Sequence, residues 1–453
     1  MKDIFTLKEK LNSFDLKERH EALRRLMLIS LGPEKQSDNV NMHIHSFFSF
    51  NAEGWSPTRI AWEAYEKGLY AAAIIDFDVL DGMLEFYEAG EILGIRTNVG
   101  IETRAFLKEY SDREIDSPGE PGVSYIGGSG FTKILPKTFL QSAKLAEYRQ
   151  TARDRNISLI ARINPHVPGI AIDYENDVLP LSPSDSATER HIVSAYLRKT
   201  ETVFQDRPVL INFLSQTLGK LQEETENLLK SRTSLEEVMR AKFAKRGGFG
   251  YVQPTPATFP KVEEFFAWVK SCGAIPMESW LDGTSAGESN PKELLELSVS
   301  KGAAALNLIP DRNWNIKDPE IREKKTSNLR EIIKVADSMN LPLNIGTEMN
   351  KKGQPFCDDL NGSVLKEFKG TFLRGARTLV GHSILARFAD FAYLGSKAEN
   401  IFGTRIADKN KFFESVGALP PVTKCIADKL RTAGEEKAYS MIYDSFRNEK
   451  WMC

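Results

Sequence analysis

Three stretches decide the fold: Asn39-Val40-Asn41-Met42-His43-Ile44-His45-Ser46, then Ala73-Ile74-Ile75-Asp76-Phe77-Asp78-Val79-Leu80-Asp81-Gly82, then Gly100-Ile101-Glu102-Thr103-Arg104. Each holds a short apolar run that ends in histidines or acids. Side chains alternate faces along a strand, so His43 and His45 point the same way at the end of the first run. Two imidazoles so placed can close on one metal ion. An isolated pair of this kind is more simply a strand end bonded locally. Here the next two runs end in Asp76 and Glu102, and a site built across neighbouring strand ends becomes the better reading.

Working outward, strands are expected over residues 40–44, 69–75 and 95–101. A helix is expected over 57–67, with Ser56 as N-cap and Pro57 in its first position. A second covers 83–93, closed by Gly94. The second strand is apolar on both faces, so both faces must be covered. Repeated strand–helix units imply a parallel sheet with its chemistry at the strand C-terminal ends.

These motifs resemble those of the polymerase and histidinol phosphatase (PHP) family of metal-dependent phosphoesterases. The family's first motif, D-L-H-x-H-[ST]-x-x-S-D-G, stands here as Asn41 to Asn51 around His43 and His45. Its second, T-D-H-D-x-x-x-G, is matched from Ile75 to Gly82, and its G-[IV]-E by Gly100, Ile101 and Glu102. The resemblance implies an α/β protein with a PHP-like, distorted TIM-type β/α barrel. The last family motif, G-S-D-x-H, has a counterpart in Gly346-Thr347-Glu348-Met349-Asn350 with both ligands altered. The ligand set this implies is His43, His45, Glu102 and Glu348, two imidazoles and two carboxylates suited to Zn, Mn or Fe(II). Phe50 stands where the family has an acidic or histidine ligand, and Phe77 where it has a ligand histidine; a phenyl ring binds no such cation. One ion rather than three is therefore expected.

Composition bounds the partners. At 453 residues the chain has 60 basic and 62 acidic side chains, a net charge of −2, without long single-sign blocks. That argues against bulk electrostatic binding of nucleic acid or membrane, but not against a small phosphorylated or carboxylated ligand. No apolar run approaches 18 residues, and residues 1–10 are charged from the start. Cys272, Cys357, Cys425 and Cys453 are scattered, as reduced thiols of a cytoplasmic protein would be. A homo-oligomer is left open.

The rest of the chain sets the expected domains. Residues 1–38 read as a helical cap of two amphipathic helices, in which Leu23, Leu26, Met27 and Leu31 recur. Residues 39–360 read as the barrel. Within it, 105–135 reads as a loop or small hairpin inserted after the third strand, its Gly127-Gly128-Ser129-Gly130 a flap or phosphate-cradle candidate without a P-loop lysine. Residues 157–163 read as the fourth strand. It runs into Arg162 and His166, the first an anion contact, the second either a ligand or a loop histidine bonding a carbonyl. Residues 168–260 read as a helical insertion with a short strand at 209–213, and His191 as structural. Three later strands end in polar clusters. Asp311-Arg312-Asn313-Trp314-Asn315 and Lys352 are candidate substrate contacts, with Arg312 clamping an anion. Residues 361–453 read as a helical region, in which His382 caps a helix N-terminus.

The expected activity is hydrolysis of a phosphoester on a small anionic substrate through a metal-activated water. Asp76 or Asp78 would orient a ligand histidine or act as base, and Arg312 would join them at the reacting group. A degenerate, non-catalytic PHP-like protein and a metal-dependent isomerase or lyase on a sugar acid are the alternatives.

Overall fold

The structure is a computed structural model that describes residues 2–30, 32–33 and 35–452. Leu31 of the expected N-terminal helices and the Cys453 thiol lie outside the described residues. Seven strands form one mixed sheet in sequential order. They are β1 (Val40–Ile44), β2 (Ala71–Phe77), β3 (Arg96–Phe106), β4 (Val123–Ser129), β5 (Ile275–Trp280), β6 (Ala305–Leu308) and β7 (Leu343–Ile345). Every pairing is parallel except the two that β4 makes with β3 and β5. Beyond β7 the chain returns to β1: His45 N donates to Glu348 O at 2.8 Å and Glu348 N to His43 O at 2.9 Å. The sheet thus curls into a nearly closed barrel.

That return needs a close approach. A Cβ on Gly346 would lie 2.4 Å from His43 N, so only glycine lets β7 pass this near to β1. The parallel strands are buried on both faces, as sheets covered by helices are. Helices α1 (Lys2–Lys10) and α2 (Leu16–Ile29) lie at the start of the chain. They pack beside α3 (Pro57–Glu66) and α4 (Met83–Leu93), pinned by a buried Arg19–Glu85 ion pair. Ser56 caps α3 and Gly94 ends α4 at φ 66°, as read from the sequence.

Three expected elements differ. Residues 123–129 are not part of an inserted loop but β4, an integral strand, and its glycines sit between strands rather than around a phosphate. A Cβ on Gly128 would meet Val269 at 2.6 Å, and one on Gly100 would meet Gly128 O at 2.5 Å. The expected fourth strand over 157–163 is the end of a 24-residue helix, α5 (Leu140–Ile163). Leu159, Ile160 and Ile163 recur at helical spacing and bury in a second core, shared with Ile192, Tyr196, Leu214, Met239 and Phe243. That core belongs to α5 and to α6 (Glu189–Val203), α7 (Arg207–Leu218), α8 (Gln222–Leu228) and α9 (Arg232–Ala244). The short strand expected at 209–213 lies inside α7, behind the Asp206 N-cap and Pro208. The helical insertion therefore starts at α5, before residue 168.

The barrel then resumes with α10 (Val262–Ser271), α11 (Pro291–Lys301), α12 (Asp311–Trp314) and α13 (Pro319–Ser338). The C-terminal region is α14 (Lys369–Ala389), α15 (Ser396–Phe402), α16 (Ile406–Ala418), α17 (Lys424–Ala433) and α18 (Glu435–Arg447). Helix α14 packs at the strand ends away from the site: Asn98, early in β3, donates to Leu379 O, and Gly375 lies against Leu343, the first residue of β7. His382 is not at a helix N-terminus. It is buried within α14, with Nε2 3.0 Å from Gly130 O and Nδ1 accepting from Tyr393 N. Among the described residues no helix is long and apolar enough to cross a membrane.

Candidate metal centre

His43 and His45 lie at the C-terminal end of β1, 1% exposed each, and Glu102 faces them from β3. Glu102 Oε2 is 3.8 Å from His43 Nε2 and 3.4 Å from His45 Nε2. None of these three atoms has a hydrogen-bond partner, though all are buried. Orphaned buried polar atoms are rare, because each forfeits its hydration without replacement. Three converging on one point call for a shared cation.

The partners of the two Nδ1 atoms point lone pairs, not protons, toward that centre. His43 Nδ1 lies 3.1 Å from Asn307 Oδ1, an acceptor, so Nδ1 carries the proton. His45 Nδ1 lies 3.4 Å from Ser49 Oγ, which spends its own proton on Asp76 Oδ1 at 2.7 Å. Each imidazole therefore turns an unprotonated Nε2 toward Glu102. Burial keeps both neutral: it drives His43 below its ordinary value, and with His43 alongside takes His45 to about 3. Glu102 moves the other way, raised by burial and then by the Glu348 carboxylate. Two ligand atoms about 2.1 Å from a common ion at a tetrahedral angle stand about 3.4 Å apart. His43, His45 and Glu102 fit a divalent ion on geometry and on donor chemistry, and among the described residues they are the one cluster close enough to do so.

Glu348, expected as the fourth ligand, is buried beside them but outside that cluster. Its Oε2 accepts from Arg312 Nη2 at 2.9 Å. Burial raises its pKa, but Arg312 and the two histidines outweigh that and hold it down. Glu348 and Met349 sit at φ 60° and 56°, and Asp78 at 57°. Backbone strain of this kind, in residues with a Cβ, gathers at functional sites.

The two motif aspartates part company. Asp76 is buried and accepts from Ser46 N, Ser46 Oγ and Ser49 Oγ, so it holds the 46–50 turn and, through Ser49, His45. Burial lifts its pKa to about 6 against those hydrogen bonds. Asp78 lines the cleft with Glu102; its Oδ1 accepts from Thr103 Oγ1 at 2.6 Å, and Arg155 lies 4.0 Å from its Oδ2. Phe77 stacks on His45 at 5.5 Å, and Phe50 lies edge-on to His191 at 5.3 Å.

A cleft of about 1110 Å³ opens over this centre, bounded by the barrel mouth and the helical insertion. Arg312 lines it, and Arg162 lines its far wall with Nε bonded to Gly250 O. His166 is not a ligand: it is exposed and stacks on Phe249 at 4.5 Å. Asn313 is buried and donates to Leu281 O and Ile309 O, while Asp311 accepts from Asn315. Both are helix-end fixtures rather than cleft residues. Lys352 is exposed on the loop after β7 and does not line the cleft.

Sequence reading missed Arg104, Arg155, Arg190, Arg240, Lys245 and Tyr125, all on the cleft wall. Arg104 had a signal: two residues after Glu102 on one strand, it shares that face. The insertion's cations had none, because nothing local tells which face of α5, α6 or α9 turns toward a barrel. Arg240 and Lys245 both pair with Glu189, whose pKa falls to about 2 as these cations and Arg104 overcome its burial.

No family model matches this sequence, and no curated protein matches it. Among solved structures, one provisionally named a metal-dependent phosphoesterase, from Bifidobacterium adolescentis, is similar over 75% of this chain and 97% of its own, at 19% identity and a TM-score of 0.45. An amidohydrolase from Chromobacterium violaceum, with bound sulfate and no metal, is similar over 74% and 96%, at 15% identity and a TM-score of 0.44.

Proposed function

We propose that this chain is a metal-dependent hydrolase that cleaves a phosphoester on a small anionic substrate in the cleft above the barrel mouth. One observation carries the reading: three buried acceptor atoms, His43 Nε2, His45 Nε2 and Glu102 Oε2, converge without a donor. A divalent ion held there, zinc, manganese or iron, supplies Lewis-acid polarisation of a phosphoryl oxygen and brings the pKa of water toward about 7.

The chain's own groups supply the rest. Asn307 and Ser49 keep the two imidazoles with Nε2 inward. Arg312, its side chain 42% exposed, presents a guanidinium at the same mouth to take substrate oxygens in a bidentate grip. Asp78, held by Thr103 and lining the cleft, would pass a proton to the leaving oxygen. The insertion walls one side of the cleft.

The test is turnover of p-nitrophenyl phosphate and its bis-ester by the full chain loaded with zinc or manganese, beside a His43→Ala/His45→Ala control. Metal-dependent turnover lost in the control supports the reading, and turnover untouched by the double substitution overturns it. Arg312 on Glu348 favours a second outcome, an ion retained without hydrolysis of either ester. That outcome would move the assignment to a non-catalytic barrel or to isomerase or lyase chemistry.

A further inference from the structure

We infer that Asn307 is a positioning residue that fixes the metal-facing side of His43, and that its neutral amide sets how tightly the ion is held. The inference rests on the metal centre proposed above. In the sheet register Asn307 on β6 stands opposite Ser279 on β5 and Asn344 on β7, so the three share one rank inside the barrel. All are at most 2% exposed. The chain of bonds begins at a group that can only accept, the carbonyl of Met42, one residue before His43. Asn344 Nδ2 donates to that carbonyl at 3.0 Å and to Asn307 Oδ1 at 2.9 Å. This fixes the orientation of the Asn344 amide. A flipped Asn307 would set two NH₂ groups against each other, so Oδ1 is the atom that faces Asn344 and His43. Asn307 Nδ2 meanwhile donates to Ser279 Oγ at 3.2 Å. His43 Nδ1, 3.1 Å from the same Oδ1, must carry the proton, and Nε2 must carry the lone pair. A backbone carbonyl thus dictates, through two amides, which nitrogen of the neighbouring histidine meets the ion.

The amide also has an electronic consequence. Ligand histidines commonly give their second N–H to a carboxylate, which raises imidazole basicity, and outer partners of this kind change metal affinity by roughly 10–100-fold. Asn307 orients without adding charge. The site is therefore pre-set in geometry yet holds its ion less tightly than a carboxylate in that place would allow.

Zinc competition titration against a chromophoric chelator, on metal-stripped full-length protein, tests this with Asn307→Asp and Asn307→Leu. The expected result is about tenfold or greater tightening in the first and 10–100-fold weakening in the second. In ¹⁵N-histidine-labelled apo protein, His43 should appear as a single Nδ1–H tautomer, and Asn307→Leu should lose that preference. Should the leucine variant fail to fold, the near-isosteric Asp variant and the tautomer of the unsubstituted protein decide alone. Equal zinc affinity across all three proteins, or His43 protonated on Nε2, overturns the role of Asn307 and leaves the metal centre standing. Failure of the unsubstituted protein to bind zinc, manganese or iron overturns both.

Discussion

Glu102→Gln separates what the site does with an ion from what it endures without one. In the apo protein the carboxylate sits buried, 3.4 Å from a lone pair on His45 Nε2 and 3.8 Å from another on His43. A glutamine of the same shape turns an NH₂ toward those nitrogens. It replaces an orphaned acceptor with a hydrogen bond worth about 1 kcal/mol, and it removes a buried ionisable group that costs about 1–3 kcal/mol when unsatisfied. The apo variant should therefore be more stable than the natural chain by roughly 1–3 kcal/mol at pH 7. Burial raises the Glu102 pKa above its ordinary 4.5. Burial penalises the charged form, so the gain should shrink as the pH falls and vanish below that value. With metal the order reverses. An ion at about 1,000 times its Kd stabilises the natural chain by about 4 kcal/mol, and the amide variant should lose that increment. If the 453 residues unfold together, at about 2.1 cal/mol/K per residue, 4 kcal/mol is about 4 °C. Differential scanning fluorimetry with and without zinc, at pH 7 and pH 4.5, reads both effects. A Glu102→Gln protein that is less stable without metal and keeps the full zinc shift would refute the reasoning.

Further outcomes follow from the same geometry. Glu278 is buried, with its pKa pushed to about 7 by desolvation; between about pH 4.5 and 7 it holds a proton when folded that it releases when unfolded, so Glu278→Gln should stabilise by roughly 3 kcal/mol at pH 8, above both values, and by nothing at pH 4, read by urea melts. Asp76→Asn, which weakens the hold on Ser46 and Ser49, should lower zinc affinity about tenfold through His45 in calorimetric titration. Arg19→Ala strands a buried Glu85 and should cost about 3–5 kcal/mol, and a cost below 1 kcal/mol in chemical denaturation would show that the first two helices are not docked as described. Arg312→Leu should reduce kcat/KM for a phosphoester at least tenfold while zinc content stays at the natural level, if its guanidinium grips substrate as proposed.

The barrel's first half was legible because its signals are local. Short apolar runs stop at Gly82, Gly94 and Ser56, and one intervening residue puts His43 and His45 on one face. Strand β4 was hidden by its own requirement: packing between two strands against Val269 demands glycine, and Gly127-Gly128 reads as loop. Helix α5 was misread because Leu159, Ile160 and Ile163 suit a strand until the second core they enter is known. The clustering of His43, His45 and Glu102 was readable from the strand ends. Glu348 followed only from the resemblance, and Arg312 draws its carboxylate aside. The groups that set the tautomers were beyond reach, since Asn307 meets His43 across 264 positions of chain through strand register.

The central claim is that one ion sits among three named atoms. An anomalous-difference map at the zinc edge, from crystals of zinc-loaded protein, measures that directly. The account predicts one strong peak per chain, about 2.0–2.2 Å from His43 Nε2, His45 Nε2 and Glu102 Oε2. A map with no peak there, or with its only peak elsewhere on the molecule, would contradict it.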